Sequence, residues 1–205
     1  MSVKIYGSPM SRAARVMWCA QELNVPYEHV DVPWDKLKDA SFLEINPNGK
    51  VPGFCDGDLK LFESLAINLY VAKKYGTGEL YPTNAEDEAR VVQWTLWAAT
   101  EVEPLVLPSL LVKLGLGSDP ATAKAAAERA KPVLEVLDDH LKGREWLVGN
   151  KFSVADLNVA CVVGMARYGD VDISYVPNVT KWLERSLSRP ASRPRAAKHS
   201  SGAAP

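Results

Sequence analysis

The order of strand and helix signals predicts an α/β domain over residues 1–77, a linker over 78–87 and an all-α domain over 88–188. Two observations carry that division. Strand-type alternation and helix-type spacing succeed one another through the first third of the chain, and from Glu86 onward the strand signals stop. Val3 to Tyr6 reads as a strand, and Arg12 to Leu23 as a helix with its apolar residues at helical spacing. Tyr27 to Val32 is strand-like, and Asp35 to Glu44 is polar and weakly helical. The stretch Asn46-Pro-Asn-Gly-Lys-Val-Pro-Gly is dense in turn formers. Phe54-Cys55 and Leu59-Lys60-Leu61 flank Asp56-Gly57-Asp58, a hairpin turn. Ser64 to Tyr75 reads as the helix that closes the unit. The order is βαβαββα, a small mixed sheet with helices packed on it.

In the second domain Val91, Trp94, Trp97, Ala98, Val102 and Leu105 recur at helical spacing, with Pro104 and Pro108 expected to bend or end that helix. Asp119 is a capping residue followed by Pro120 at the first helical position. The helix it opens runs towards His140, with Pro132 as an expected kink. Phe152-Ser-Val-Ala-Asp-Leu holds a capping box, Ser153 with Asp156, and a hydrophobic staple, Phe152 with Leu157; its helix runs to Arg167. A last helix, Asn178 to Leu187, follows Val176-Pro177. The segment 189–205 carries Arg189, Arg193, Arg195 and Lys198 without an acid and is rich in Pro, Ser, Ala and Gly, so a disordered tail is expected.

A net charge of −1 supplies no field that would draw the chain to nucleic acid or an anionic membrane. Cys19, Cys55 and Cys161 are far apart, odd in number and set in apolar segments. That favours small buried hydrophobes in a reducing compartment over a disulfide framework or a metal site. The longest uncharged apolar run, Leu157 to Ala166, is half the length a membrane span needs. With no leader-type segment at the start, a cytoplasmic protein without membrane or nucleic-acid partners is expected.

A strand-to-helix turn written Cys-Pro-x-Cys would suggest a thiol redox site, because a helix N-terminus stabilises a thiolate. Here the turn reads Ser8-Pro9-Met10-Ser11, with hydroxyls in both places. A serine–histidine hydrolase is not supported, since His29 lies in a strand, His140 ends a helix and His199 is in the tail. No metal-ligand spacing, phosphate loop or dinucleotide fingerprint is present. Three pieces remain, all at one edge of the first domain. Ser11 begins a helix, Val51-Pro52 precedes a strand, and Glu63-Ser64 opens a helix whose N–H groups suit a carboxylate ligand. Singly, Ser11 reads as an N-cap, Pro52 as a strand starter and Ser64 as another cap.

Together, Tyr-Gly-Ser-Pro-Met-Ser at 6–11, Asn-Pro-Asn-Gly-Lys-Val-Pro at 46–52, Leu-Phe-Glu-Ser at 61–64 and Leu-Val-Gly-Asn-Lys-Phe-Ser-Val-Ala-Asp at 147–156 resemble the glutathione transferases. The likeness is to the serine-type theta and phi branches and their bacterial relatives, and it covers the chain up to the tail. It implies a thioredoxin-like N-terminal domain, an all-α C-terminal domain, and a homodimer. The implied function is conjugation of the glutathione thiolate, glutathione being the co-substrate, to small electrophilic, mostly hydrophobic substrates. Within the resemblance Ser11 is the thiolate partner, and Val51, before a cis Pro52, pairs its backbone with the cysteinyl unit. Ser64 holds the γ-glutamyl carboxylate and Glu63 the γ-glutamyl amine, while Lys38 and Lys50 serve the glycyl carboxylate. Lys50 stands where many relatives have Gln. Phi members have one more residue between the serine and the helix arginine matched by Arg15. Counting forward from the strand selects Ser11, whereas aligning on Ser-Pro selects Ser8. An acceptor pocket between the domains would involve Met10, Trp97, Leu105 and Tyr168. Asp156 matches the family's buried capping acid. Other glutathione chemistry (peroxidase, isomerase, dehalogenase) is an alternative, as is a non-catalytic interaction module like that in the gamma subunit of a translation elongation factor.

Overall fold

The computed structural model describes residues 3–117 and 119–193. The chain divides into two compact units, one running to Gly76 and taking in Pro190 onward, the other Thr77–Arg189. The first unit contains strands β1 (Val3–Tyr6), β2 (Tyr27–Val30), β3 (Gly53–Asp56) and β4 (Leu59–Phe62), with helices α1 (Ala13–Glu22), α2 (Ala40–Leu43) and α3 (Ser64–Tyr75). The weakly helical stretch after β2 resolves into a short 3-10 turn, Trp34–Lys36, and α2. The four strands lie in the order β2-β1-β3-β4. β1 runs parallel to β2, β3 antiparallel to β1, and β4 antiparallel to β3. This is the mixed sheet expected from the sequence.

The register places Ile5 opposite Phe54, both fully buried. α1 and α3 pack on one another, and Val16, Met17, Cys19, Ile67 and Val71 complete that core. The hairpin is tied to α3 through Asp56, whose carboxylate accepts from Lys74 Nζ (2.7 Å), Tyr75 Oη (2.6 Å) and Tyr70 Oη (2.9 Å). Burial alone would raise the Asp56 carboxyl, but the ammonium and the two phenols outweigh it and hold it below the ordinary carboxylate range.

The second unit is all helix: α4 (Ala85–Trp97), α5 (Glu103–Lys113), α6 (Pro120–His140), α7 (Val154–Tyr168) and α8 (Pro177–Leu187). Of the two outcomes expected of the prolines, bending or ending the first of these segments, they do not end it. A π-helical turn, Ala98–Val102, carries the helical path from α4 into α5; Pro104 stands in the first turn of α5 and Pro108 within it. The wider turn lets Pro104 enter where an amide hydrogen is not required. The whole run from 85 to 113 is long and apolar enough to cross a membrane by length and composition. It also carries Glu86, Asp87, Glu88, Arg90, Glu101, Glu103 and Lys113, which hydrocarbon disfavours. α4 and α5 both pack against α7, and Asn158 Nδ2 donates to Thr95 Oγ1 at 3.2 Å inside that contact.

α7 is the buried centre of this unit, with Leu157, Val159, Val162 and Val163 fully enclosed. Asp156, at its N-terminus, accepts from Leu147 N (2.9 Å), Trp182 Nε1 (2.9 Å), Ser153 N (3.0 Å) and Ser153 Oγ (3.1 Å). Burial nevertheless pushes its carboxyl up, because four neutral donors offset only part of the lost hydration. Asp138 of α6 accepts from the N–H groups of Asn178 and Val179, and so caps α8 from a neighbouring helix. The start of the expected tail, Pro190–Ser192, is a 3-10 turn that packs with α1. The remainder, from 194, including Arg195 and Lys198, lies outside the described residues.

Candidate functional site

All the residues assigned to glutathione lie in the first unit, on four segments: the β1–α1 turn, the stretch before α2 that carries Lys38, the loop before β3, and the β4–α3 junction. The β1–α1 turn brings Ser8 and Ser11 together. Ser8 O accepts from Ser11 N (2.9 Å) and again from Ser11 Oγ (2.7 Å). Ser11 Oγ in turn accepts from Ala13 N at 3.1 Å, so it serves the first amide of α1 that Arg12, the N-cap residue, leaves without a side-chain cap. Ser8 Oγ accepts from Met10 N at 3.1 Å. When the Ser11 hydroxyl turns towards another acceptor, Ser8 O keeps its backbone bond and is not orphaned. The hydroxyl is therefore a donor that can be redirected at the cost of one hydrogen bond.

The turn approaches the loop before β3 closely, and Gly7 is the reason it can. Gly7 has φ +122°, and a Cβ there would stand 2.7 Å from Val51 Cβ and 3.2 Å from Ala13 Cβ. His29 Nε2 holds the Gly7 carbonyl at 2.9 Å, which is where the strand-borne histidine is used. The Val51–Pro52 peptide is cis, as the resemblance implied. Among the described residues no hydrogen bond is made by the N–H or C=O of Val51, so both of its backbone polar groups are left open. Asn46 braces the loop from beneath. It is 3% exposed, donates from Nδ2 to the carbonyls of Lys50 and Pro52, and accepts from Asn48 N at Oδ1. Sequence reading gave Asn46 only as a turn former; its hold on two later carbonyls depends on the folded loop. Lys38 Nζ donates to Asn48 O at 3.0 Å, and Lys50 is exposed. Two donors of the Lys38 ammonium are left over for a carboxylate.

At the fourth segment Glu63 has φ +69° and ψ +104°, a conformation that L-residues avoid and that costs on the order of 1–3 kcal/mol. Its side chain is exposed and makes no capping bond to α3. Ser64, the first residue of α3, is buried, and Arg15 Nη1 donates to its Oγ at 3.4 Å. Arg15, matched in the sequence only as a landmark, thus joins the site; no local signal links it to a serine 49 residues away. Neither α1 nor α3 has an acidic residue in its first turn, so both N-termini keep the positive end of their dipoles.

The residues expected to line an acceptor pocket fall in both units. Met10, on the β1–α1 turn, is 93% exposed, and Tyr168, at the end of α7, is 60% exposed. Trp97 is half-buried and packs edge-to-face on Trp94 at 5.0 Å; Leu105 is half-buried in α5. Among the described residues no cluster of three or more His, Cys, Asp or Glu side chains could hold a metal ion.

The first unit thus carries a hydroxyl at one helix N-terminus, an open peptide before β3 and a second helix N-terminus on a βαβαββα fold. Residues 1–73 match the family model described as "Glutathione S-transferase, N-terminal domain", and residues 98–190 match "Glutathione S-transferase, C-terminal domain". The probable glutathione S-transferase GSTF1 of Oryza sativa subsp. japonica is 34% identical over 92% of this chain and 93% of its own. The crystal structure of glutathione transferase F7 from Populus trichocarpa superposes with a TM-score of 0.84, at 30% identity, over 93% of this chain and 96% of that one. The theta class glutathione S-transferase of Xanthomonas axonopodis pv. citri, solved with glutathione bound, has a TM-score of 0.85 at 26% identity over 94% and 95% of the two chains. The chain belongs to the glutathione S-transferase family.

Proposed function

We propose that the chain is a serine-type glutathione transferase in which Ser11 stabilises the glutathione thiolate for attack on small, mostly hydrophobic electrophiles. The observation that carries the assignment is the Ser11 hydroxyl at the start of α1, with its hydrogen resting on a carbonyl that has a second donor. A free thiol titrates near about 8.5, and lowering that by about two units takes roughly 2.7 kcal/mol. One hydrogen bond to a charged acceptor contributes about 1.5–3 kcal/mol, and the dipole of α1 adds to it. The hydroxyls of the Ser-Pro-Met-Ser turn replace protein thiols because the reacting sulfur belongs to the ligand.

The other contacts are those that the family resemblance implies. The free N–H and C=O of Val51 take the cysteinyl unit as an added strand beside Pro52. Ser64 and the α3 N-terminus take the γ-glutamyl carboxylate, with Glu63 on the amine. Lys38 and Lys50 meet the glycyl carboxylate. Met10, Trp97, Leu105 and Tyr168 are assigned to the acceptor. The thiolate attacks the electrophilic carbon, a carbon–sulfur bond forms, and the leaving group departs with the electron pair. The reading extends to a cytoplasmic homodimer, as the family resemblance implies; a stable monomer in sedimentation at micromolar concentration would remove the homodimer. The direct test is an ultraviolet titration of bound glutathione. Thiolate absorbance is expected well below the free thiol's pH range in the unchanged protein, and near that range in Ser11→Ala. An unshifted titration in the unchanged protein defeats the reading.

A further inference from the structure

At Gly7 the chain leaves β1, and both backbone polar groups of that residue are held by β2. Its N–H donates to Val30 O at 2.9 Å, and His29 Nε2 lies 2.9 Å from its carbonyl oxygen. A carbonyl can only accept, so Nε2 carries the hydrogen, in the imidazolium or in the neutral ring alike. The register sets His29 beside Ile5, which puts the ring on the same sheet face as that buried residue. Its neighbour Glu28 takes the other face and pairs with Lys4 at 2.9 Å.

Gly7 needs this second hold. At φ +122° and without a Cβ, sterics alone do not fix the direction in which the chain continues to Ser8. The bond to His29 fixes it. Ser8 O in turn accepts from Ser11 N (2.9 Å) and Ser11 Oγ (2.7 Å), which sets the hydroxyl at the start of α1. Gly7 also presses on the loop before β3, where a Cβ would stand 2.7 Å from Val51 Cβ. One residue thus sets the spacing between the Ser11 hydroxyl and the Val51 peptide.

Resting on the glutathione reading, we infer that His29 is a positioning residue for the thiolate. It holds the Gly7 carbonyl, through it the Ser8-to-Ser11 turn, and so keeps the Ser11 hydroxyl on the sulfur of a cysteinyl unit seated at Val51. His29 touches neither the sulfur nor the electrophile, and its part is that of a donor, not of a base.

The test is the ultraviolet titration of bound glutathione on the full chain, with calorimetry of glutathione binding beside it. His29→Leu removes the donor and is expected to raise the bound thiol's pKa by about half a unit to one unit, roughly a three- to tenfold loss of thiolate at neutral pH. Glutathione affinity is expected to stay within about threefold, because the carboxylate anchors lie on other segments. His29→Gln, whose amide nitrogen reaches to the place of the ring Nε2, is expected to keep the pKa within about a third of a unit of the unchanged protein. His29→Asn is too short to reach Gly7 O; it is expected to behave as His29→Leu and serves where the leucine variant does not fold. Adding the disruptive variant to Ser11→Ala is expected to move the titration little further, because His29 acts through Ser11. An unmoved thiol pKa in a folded His29→Leu or His29→Asn, or a folded His29→Gln that titrates like them, would overturn the inference. So would shifts that add in the double variant, or a loss of affinity larger than the loss of thiolate. An unshifted titration in the unchanged chain would instead defeat the functional reading beneath it.

Discussion

The helix N-termini of the two units are finished in opposite ways. In the second unit Asn84 caps α4, Asp119 caps α6, Ser153 and Asp156 cap α7, and Asp138 caps α8 from outside. In the first unit the N-cap residues of α1 and α3, Arg12 and Glu63, make no side-chain cap. The first amides of any helix need an acceptor, and the second unit provides it from its own chain. The first unit leaves its α1 end to Ser11 and, on the reading proposed above, its α3 end to a ligand. On that reading the internal caps serve stability and the open ends serve binding.

That contrast can be broken most severely at Asp156. Asp156→Ala strands three buried N–H groups and a hydroxyl, and is expected to cost about 4 kcal/mol or more, measured by urea unfolding. A loss under about 1 kcal/mol would show that the internal cap is dispensable.

At the other helix end, Ser11→Ala is expected to leave glutathione affinity nearly unchanged. Its conjugation rate at neutral pH should fall by roughly ten- to a hundred-fold, because the bound thiol's pKa rises by about one to two units. Ser8→Ala should change much less. A pH–rate profile of both variants with an aryl halide checks the assignment, and a large loss confined to Ser8→Ala would move the role three residues back.

Smaller effects follow. Asp138→Ala removes the cap on α8 and is expected to cost about 1–2 kcal/mol in stability with little change in glutathione binding, read by parallel unfolding and calorimetry. The smallest effect concerns acid. Because the folded Asp56 carboxyl sits below its unfolded value, its contribution is present above about pH 4 and is lost as pH falls through the folded value. Asp56→Asn should therefore flatten the acid limb of the stability curve. Asp156, raised by burial, acts with the opposite sign: its contribution is largest at low pH and declines as pH rises through its folded value.

Much of this was legible locally. The strand and helix order of the first unit, the Asp119-Pro120 start and the Ser153–Asp156 box are short-range signals, written within a few residues of where they act. The continuation past Pro104 was not, because a π-turn at Ala98–Val102 resets the hydrogen-bond ladder before the proline is reached. The anchoring positions at Val51 and Ser64 were found by resemblance, since each alone reads as ordinary loop or cap chemistry. Arg15 and Asn46 escaped for a common reason. Their partners, Ser64 Oγ and the carbonyls of Lys50 and Pro52, are set by chain folding that residue types do not encode.

Glu63 offers a last consequence. Holding an acidic side chain outward on a backbone of φ +69° makes the β4–α3 junction less stable than glycine would make it. A search for heat-resistant variants would accordingly find Glu63→Gly early, and on the proposed reading the hardier protein would have lost its contact with the ligand's amine. Robustness and recognition would then compete at one residue, so directed evolution for thermal tolerance needs glutathione present as a selective pressure.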